Sequence, residues 1–280
     1  MAVEKPQVFI IADYGSGDPA FVEVHQYISS LIPNAKIEKI SVAPFSTVQT
    51  GFWAYQLAIN HDELKGLVRD GMAKTYLFLN TAPRKDQAGP RKDNAGEGLA
   101  YAKLNNGIEI VGVLSGESFS FVKPLIAELH SVNVPNYGSQ FRSRDIFPLA
   151  LKDIVRRDLS CLGNRINIES VPDRMPGKIA HVDGYGNIKL STARSEAGLE
   201  AGDTVRITIG KRSIEMTYTD GIFGVQDGQL CLASGSSGPK GDEFLEISKR
   251  SGNAWKAFAK PKMESLVTVD RLHQPVRLRS

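Results

Sequence analysis

The chain changes texture at one place. The segment Val171-Pro172-Asp173-Arg174-Met175-Pro176-Gly177 carries two prolines and a glycine, which neither a helix interior nor a central strand accepts. Before it, strand-like apolar runs alternate with amphipathic stretches. After it, the runs are short, β-branched and separated by turn dipeptides. The first pattern predicts a sheet with crossover helices, the second a small antiparallel sheet or barrel. The expected organisation is an α/β N-terminal domain with a mostly parallel sheet over residues 1–165, a linker at 166–177, a small antiparallel β-barrel C-terminal domain over 178–270, and a polar, basic tail at 271–280.

Within the first half, residues 8–12 read as a buried strand that ends in the glycine-rich turn Asp13-Tyr14-Gly15-Ser16-Gly17-Asp18. Residues 21–32 carry apolar side chains at helical spacing until Pro33-Asn34 stops them. The same reasoning places strands at 36–42, 75–79 and 108–114, and helices at 48–59 and 121–129. Residues 80–98 are polar and without an apolar period, so they read as a long loop and a candidate lid.

Composition narrows the function classes. The chain has 280 residues, 41% hydrophobic and 23% charged, enough to bury a full core. Its net charge of +3 is spread along the sequence, which argues against a nucleic-acid footprint or a polybasic membrane patch. Two distant cysteines, Cys161 and Cys231, exclude a disulfide framework and suit a reducing compartment. The five histidines lack ligand spacing, so no metal is expected. The apolar run near the N-terminus is too short for a secretory core or a membrane span. A cytoplasmic protein with a small-molecule partner is the expectation.

Four segments carry candidate chemistry, each with a bland alternative. Asp13 and Asp18 follow the first strand, where open α/β sheets place their ligand crevices; a carboxylate there accepts ribose hydroxyls or an ammonium, or merely caps the next helix. Phe141-Arg142-Ser143-Arg144-Asp145-Ile146-Phe147 sets two guanidinium groups about a hydroxyl before a helix near Pro148. It forms an anion-tolerant pocket, or, for Arg144 and Asp145, an ion pair that fixes the helix. Asp183-Gly184-Tyr185-Gly186-Asn187 reads as a ligand loop or a hairpin turn. Ser234-Gly235-Ser236-Ser237-Gly238 reads as a set of donors or a loop tip.

A rival reading starts from Gly116-Glu117-Ser118-Phe119-Ser120, which comes close to the G-x-S-x-G nucleophile elbow, with Asp145 and His181 in hydrolase order. The final glycine of that motif is Ser120, and a β-rich second domain does not suit such a sheet.

In order and spacing, the segments together resemble the S-adenosyl-L-methionine hydroxide adenosyltransferases, the relatives of fluorinase and chlorinase. Phe9 to Gly15 with Asp18 resembles the opening I-T-D-F-G-x-x-D of that family. Phe141 to Phe147 resembles T-F-H-G-R-D-I-F, and Asp183 to Asn187 resembles D-x-F-G-N. Phe244-Leu245-Glu246-Ile247-Ser248 with Ser251-Gly252-Asn253-Ala254 is similar to its closing E-I-A and G-G-S-A.

The resemblance implies a homotrimer that binds an adenosyl ligand at the subunit interface, with no cofactor beyond S-adenosyl-L-methionine as substrate or ligand. It implies Asp13 on the ribose diol, Asp18 on the methionine ammonium, and Phe45 and Phe141 against the ligand. It also implies Asp183 and Ser236 at the methionine end, Tyr185 stacked there or on adenine, and Asn187 on the adenine edge. The implied reaction is nucleophilic substitution at the adenosyl 5′ carbon by water or halide, with methionine leaving.

The chain departs from that pattern at the catalytic positions. Asn80 stands where the hydroxide-using members have an aspartate, and Arg142 where they have a histidine; Arg84 or Arg91 would supply their arginine. Neither an amide nor a guanidinium accepts a proton at neutral pH. Ser143 is glycine in the hydroxide-using members and serine in the fluorinating one, whose tyrosine at the Asn80 position is missing here. Arg142 and Lys189 add positive charge, which disfavours a sulfonium and suits an anionic adenosine compound. Two readings therefore stand beside an adenosyltransferase with an altered catalytic set of Asn80, Arg142 and Ser143. One is a degenerate protein that binds S-adenosylmethionine or an adenosine derivative, and the other is an enzyme acting on an anionic adenosine compound.

Overall fold

The run Gln7–Ala12 forms strand β1, and its neighbours explain why nearly every residue in it is apolar. It lies between β2 (Lys36–Ser41) and β3 (Thr75–Asn80), parallel to both, and it is covered on both faces, which favours continuous apolar runs over alternation. The computed structural model describes residues 5–68, 72–84, 96–135 and 140–273. They divide into two compact units, residues 1–173 and 174–280.

In the first unit the strand order is β2-β1-β3-β5-β4-β6-β7, where β4 is Leu99–Leu104, β5 Glu109–Val113, β6 Ile126–Val132 and β7 Leu162–Arg165. Helix α1 (Pro19–Leu31) starts at the Asp18 N-cap with proline in its first turn. It buries Phe21, Val24 and Ile28 against Val8, Ile10, Tyr76 and Phe78, together with α4 (Phe147–Val155). The opposite faces of the same strands, Ile11, Leu77, Leu79 and Ile110, pack with Ala54 and Ala58 of α2 (Thr47–Leu67). This period-two division places one core on each side of the sheet.

The expectation of a mostly parallel sheet is wrong. Only β2, β1, β3 and β5 run parallel; β5–β4, β4–β6 and β6–β7 are antiparallel. The helix expected at 121–129 is a 3₁₀ turn, Lys123–Leu125, followed by β6. In β6 the buried residues are Ile126, Leu129 and Val132. That spacing of three imitates a helix, and it arises because the pairing shifts register at Lys103/Leu104 and at His130/Val132.

The second unit also differs from expectation. Its order is β14-β10-β11-β12-β13-β9-β8, with β8 Ile179–Val182, β9 Ile188–Ala193, β10 Thr204–Ile209, β11 Arg212–Thr219, β12 Leu230–Ser234, β13 Phe244–Lys249 and β14 Val267–His273. All pairings are antiparallel except β11–β12. Instead of a small closed barrel, the seven strands curl into a half-barrel. Among the described residues the two end strands meet only beside the isolated bridge Lys178–Leu266. Its core gathers Ile188, Leu190, Val205, Ile207, Leu245 and Ile247.

The Pro-rich stretch divides between the units. Ile166, Ile168 and Val171 pack on the first core, while Arg174 bonds to the Ser191 carbonyl and to Glu196 in the second. Among the described residues no helix is long and apolar enough to cross a membrane.

Candidate functional site

From β1 the chain connects through α1 to β2 on one side and then through α2 to β3 on the other, so β1 and β3 flank a topological switch point. Asp13 follows the end of β1, and Asn80 is the last residue of β3; the Asp13 amide donates to the Asn80 carbonyl at 3.4 Å. A cleft of about 570 Å³ opens there, within the range of small-molecule sites. It brings together Asp13, Asp18, Phe45, Asn80, Phe141, Arg142 and Ser143.

Asp13 is tied to the cleft's far lip, where its Oδ2 accepts the Phe45 amide at 2.8 Å. Burial pushes this carboxyl above the ordinary carboxylate range, opposed by the Phe45 amide and the charge of Arg84. Phe45 follows Pro44 in a turn closed by Ser46 N–H to the Ala43 carbonyl at 3.0 Å. It has φ 63° and is 54% exposed. Positive φ at the third position of a Pro-containing turn is normally left to glycine, and a non-glycine residue held there costs about 1–3 kcal/mol. The Asp13 bond holds a strained, exposed aromatic at the rim.

Asp18 serves as the helix cap, accepting from the Ala20 amide at 2.8 Å, and it also lines the cleft. Its side-chain bond is thus the helix cap of the bland reading. Asn80 is buried.

Across the cleft, α3 (Arg142–Asp145) carries the guanidinium pair. Arg144 forks onto Asp145 at 2.6 and 3.0 Å and reaches Glu23 on α1 at 2.5 Å, so this residue is structural. Arg142 lies over the Phe147 ring at 5.1 Å and donates to the Pro135 carbonyl at 3.2 Å. Ser143 is buried and accepts from the Tyr14 hydroxyl at 2.7 Å. In the sequence Tyr14 stands only as part of the turn and of the resembling opening motif. Its one available signal was a phenol where the resembling motif has phenylalanine.

The other candidates lie in the second unit. Asp183 Oδ1 accepts the amides of Tyr185 and Asn187 at 2.9 and 3.0 Å, and its Oδ2 accepts Asn187 Nδ2 at 3.0 Å. These bonds close the β8–β9 hairpin and hold Tyr185 80% exposed at its tip. Lys189, buried, donates to Ser236 Oγ at 3.0 Å and pairs with Glu246 at 2.5 Å. Its charge is neutralised by that partner.

The hydrolase reading fails on geometry. Ser118 is buried and donates to the Val113 carbonyl at 3.0 Å, and Asp145 is engaged by Arg144. Among the described residues no cluster of histidine, cysteine, aspartate or glutamate forms a metal site. Arg84 lines the cleft, whereas Arg91 and most of the candidate lid, residues 85–95, lie outside the described residues.

No protein-family model matches the chain, and no curated protein does. Solved structures resemble its fold. An uncharacterized conserved protein from Thermotoga maritima is 19% identical, with 94% of this chain and 100% of that one covered and a TM-score of 0.69. A conserved hypothetical protein from Thermus thermophilus is 16% identical, with 95% and 99% covered and a TM-score of 0.62. These likenesses concern the fold.

Proposed function

We propose that the cleft binds an adenosyl compound, S-adenosyl-L-methionine first among them, and supports substitution at its 5′ carbon. The observation that carries this reading is the Asp13–Phe45 pair at the switch point. A carboxylate with lone pairs left over for a ribose diol stands beside an exposed ring suited to a base or sugar face. Charge supports the sulfonium: the cleft's described lining has the carboxylates Asp13, Asp18 and Glu97 against the guanidiniums Arg84 and Arg142. The pairing of Lys189 with Glu246 removes part of the case for an anionic ligand.

In the proposed reaction a nucleophile in line with the C5′–S bond forms the new bond to C5′, and the C5′–S electron pair leaves with sulfur as neutral methionine. A halide brings no proton and needs no base, so the lack of a proton acceptor at Asn80 and Arg142 does not obstruct it. Water leaves a proton that neither Asn80 nor Arg142 accepts. That same observation favours a second reading, a protein that binds the ligand without turnover. In either case the resemblance puts the Asp183 and Ser236 loops of a neighbouring subunit at the methionine end of a homotrimer.

The test is incubation of the full chain with S-adenosylmethionine, alone and with sodium chloride or fluoride, followed by mass spectrometry. Methionine with a 5′-halogenated or 5′-hydroxyl adenosine supports the enzyme; saturable binding without product supports the receptor; no binding overturns both. Light scattering of the same sample checks the trimer.

A further inference from the structure

We propose that His181 is an acid sensor for the β8–β9 hairpin: a proton gained there sets a second cation beside the Lys189–Glu246 pair and loosens the strand end that carries Asp183. The inference stands apart from the adenosyl reading; only its bearing on a ligand loop rests on that reading.

Strand pairing puts three side chains in a row. His181 on β8 lies opposite Lys189 on β9, and Lys189 lies opposite Glu246 on β13. Residues directly opposite share a sheet face, where like charges repel. The Lys189 ammonium is buried and already matched by Glu246, whose other oxygen accepts the Ser248 hydroxyl at 2.9 Å. A proton on His181 therefore makes two cations for one carboxylate. Burial and the Lys189 charge hold the imidazole below its ordinary value of 6.5, against the pull of Asp183 and Glu246. Lys189, Asp183 and Glu246 are the charged groups that face it among the described residues.

The strand that bears this cost is lightly held. β8 has four residues and ends the sheet order beside β9, and its register shifts between Ile179 and His181. Its first residue is pinned: the Ile179 amide donates to the Ser265 carbonyl at 3.0 Å, and its carbonyl accepts the Glu264 amide at 2.9 Å. Movement is left to the end from His181 onward. There Asp183, two residues on and on the same side of the chain, uses both oxygens to close the hairpin. An imidazolium competes for that carboxylate with the Tyr185 and Asn187 amides. Because the folded imidazole resists its proton, the hairpin has its full stability above about pH 6.5 and loses it as the pH falls through the lowered value.

Trp255 reports on the hairpin: its amide donates to the Gly186 carbonyl at 2.9 Å, and Asn253 Nδ2 donates to the Tyr185 carbonyl at 3.0 Å. The experiment follows fluorescence of the full chain carrying Trp53→Phe, which leaves Trp255 as the single tryptophan, from about pH 8 to about pH 5. Emission should hold steady down to about pH 6.5 and then change with a midpoint below it. His181→Gln should abolish the change. Lys189→Met with Glu246→Leu should move the midpoint upward, because Lys189 outweighs Glu246 at the imidazole.

No change in the chain that keeps His181, a midpoint at or above the ordinary histidine value, or a change that persists in His181→Gln overturns the inference. Thermal unfolding at neutral pH checks that His181→Gln is folded. If it is not, the double variant decides the matter, and a midpoint that stays or falls overturns the inference. No ligand enters this experiment, so its failure and that of the adenosyl reading are read separately.

Discussion

The carboxylate of Asp13 accepts the main-chain amide of Phe45 at 2.8 Å, joining the end of β1 to a strained turn 32 residues away. One residue thus shapes the rim of the cleft and offers its charge to whatever enters. Burial raises its pKa, and protonation removes the charge that a ribose diol would donate to. Adenosyl-ligand affinity should therefore be constant at neutral pH and fall on acidification, with a midpoint above the ordinary carboxylate range. Calorimetry across pH on the wild type and on Asp13→Asn checks this: the variant should bind about tenfold or more weakly and lose the acid limb.

Asn80 and Arg142 line the same cleft. Asn80→Asp with Arg142→His restores a pair able to take a proton, and adenosine formation from S-adenosylmethionine should rise about a hundredfold or more over the wild type. Mass spectrometry of timed incubations measures it. Arg142→His also gives up the stack on Phe147, so about 1 kcal/mol of stability is expected to be lost with it.

Buried Lys189 and partly buried Glu246 form an ion pair in the half-barrel. Lys189→Met alone leaves an uncompensated carboxylate and should destabilise the protein by about 3 kcal/mol, whereas Lys189→Met with Glu246→Leu should recover most of that loss. Urea denaturation of the two variants separates the outcomes.

Gly51 lies within α2, where alanine would ordinarily add about 1 kcal/mol of helix stability. A Cβ at this position would stand 2.4 Å from the Glu117 carbonyl oxygen and 2.9 Å from the Phe121 ring. The clash outweighs propensity, so Gly51→Ala should cost about 2 kcal/mol or more, measured by thermal unfolding.

These residues also show what the sequence makes legible. Strand β1 is readable because its apolar run is unbroken, and the Asp18 cap because Asp-Pro opens an apolar helical period. Strand β6 is not, since its buried residues fall three apart where the pairing shifts register, nor is β4, which is buried at all but one position and shows no alternation; with them goes the antiparallel half of the sheet. The openness of the half-barrel depends on how seven strands close or fail to close, which no local pattern encodes. Asp13 and Ser143 are legible as candidates through their positions at a strand end and a helix start, and Asn80 only through the resemblance. The Tyr14–Ser143 bond spans 129 residues, and a contact of that range has no sequence signal of its own.

The most direct measurement is a calorimetric titration of the wild-type chain and of Asp13→Ala with S-adenosylmethionine at neutral pH. Saturable binding by the wild type, weakened at least tenfold in a variant that unfolds at the same temperature, is the predicted result. Equal affinity of the two proteins, or no binding by either, would contradict the placement of an adenosyl site at the β1–β3 switch point.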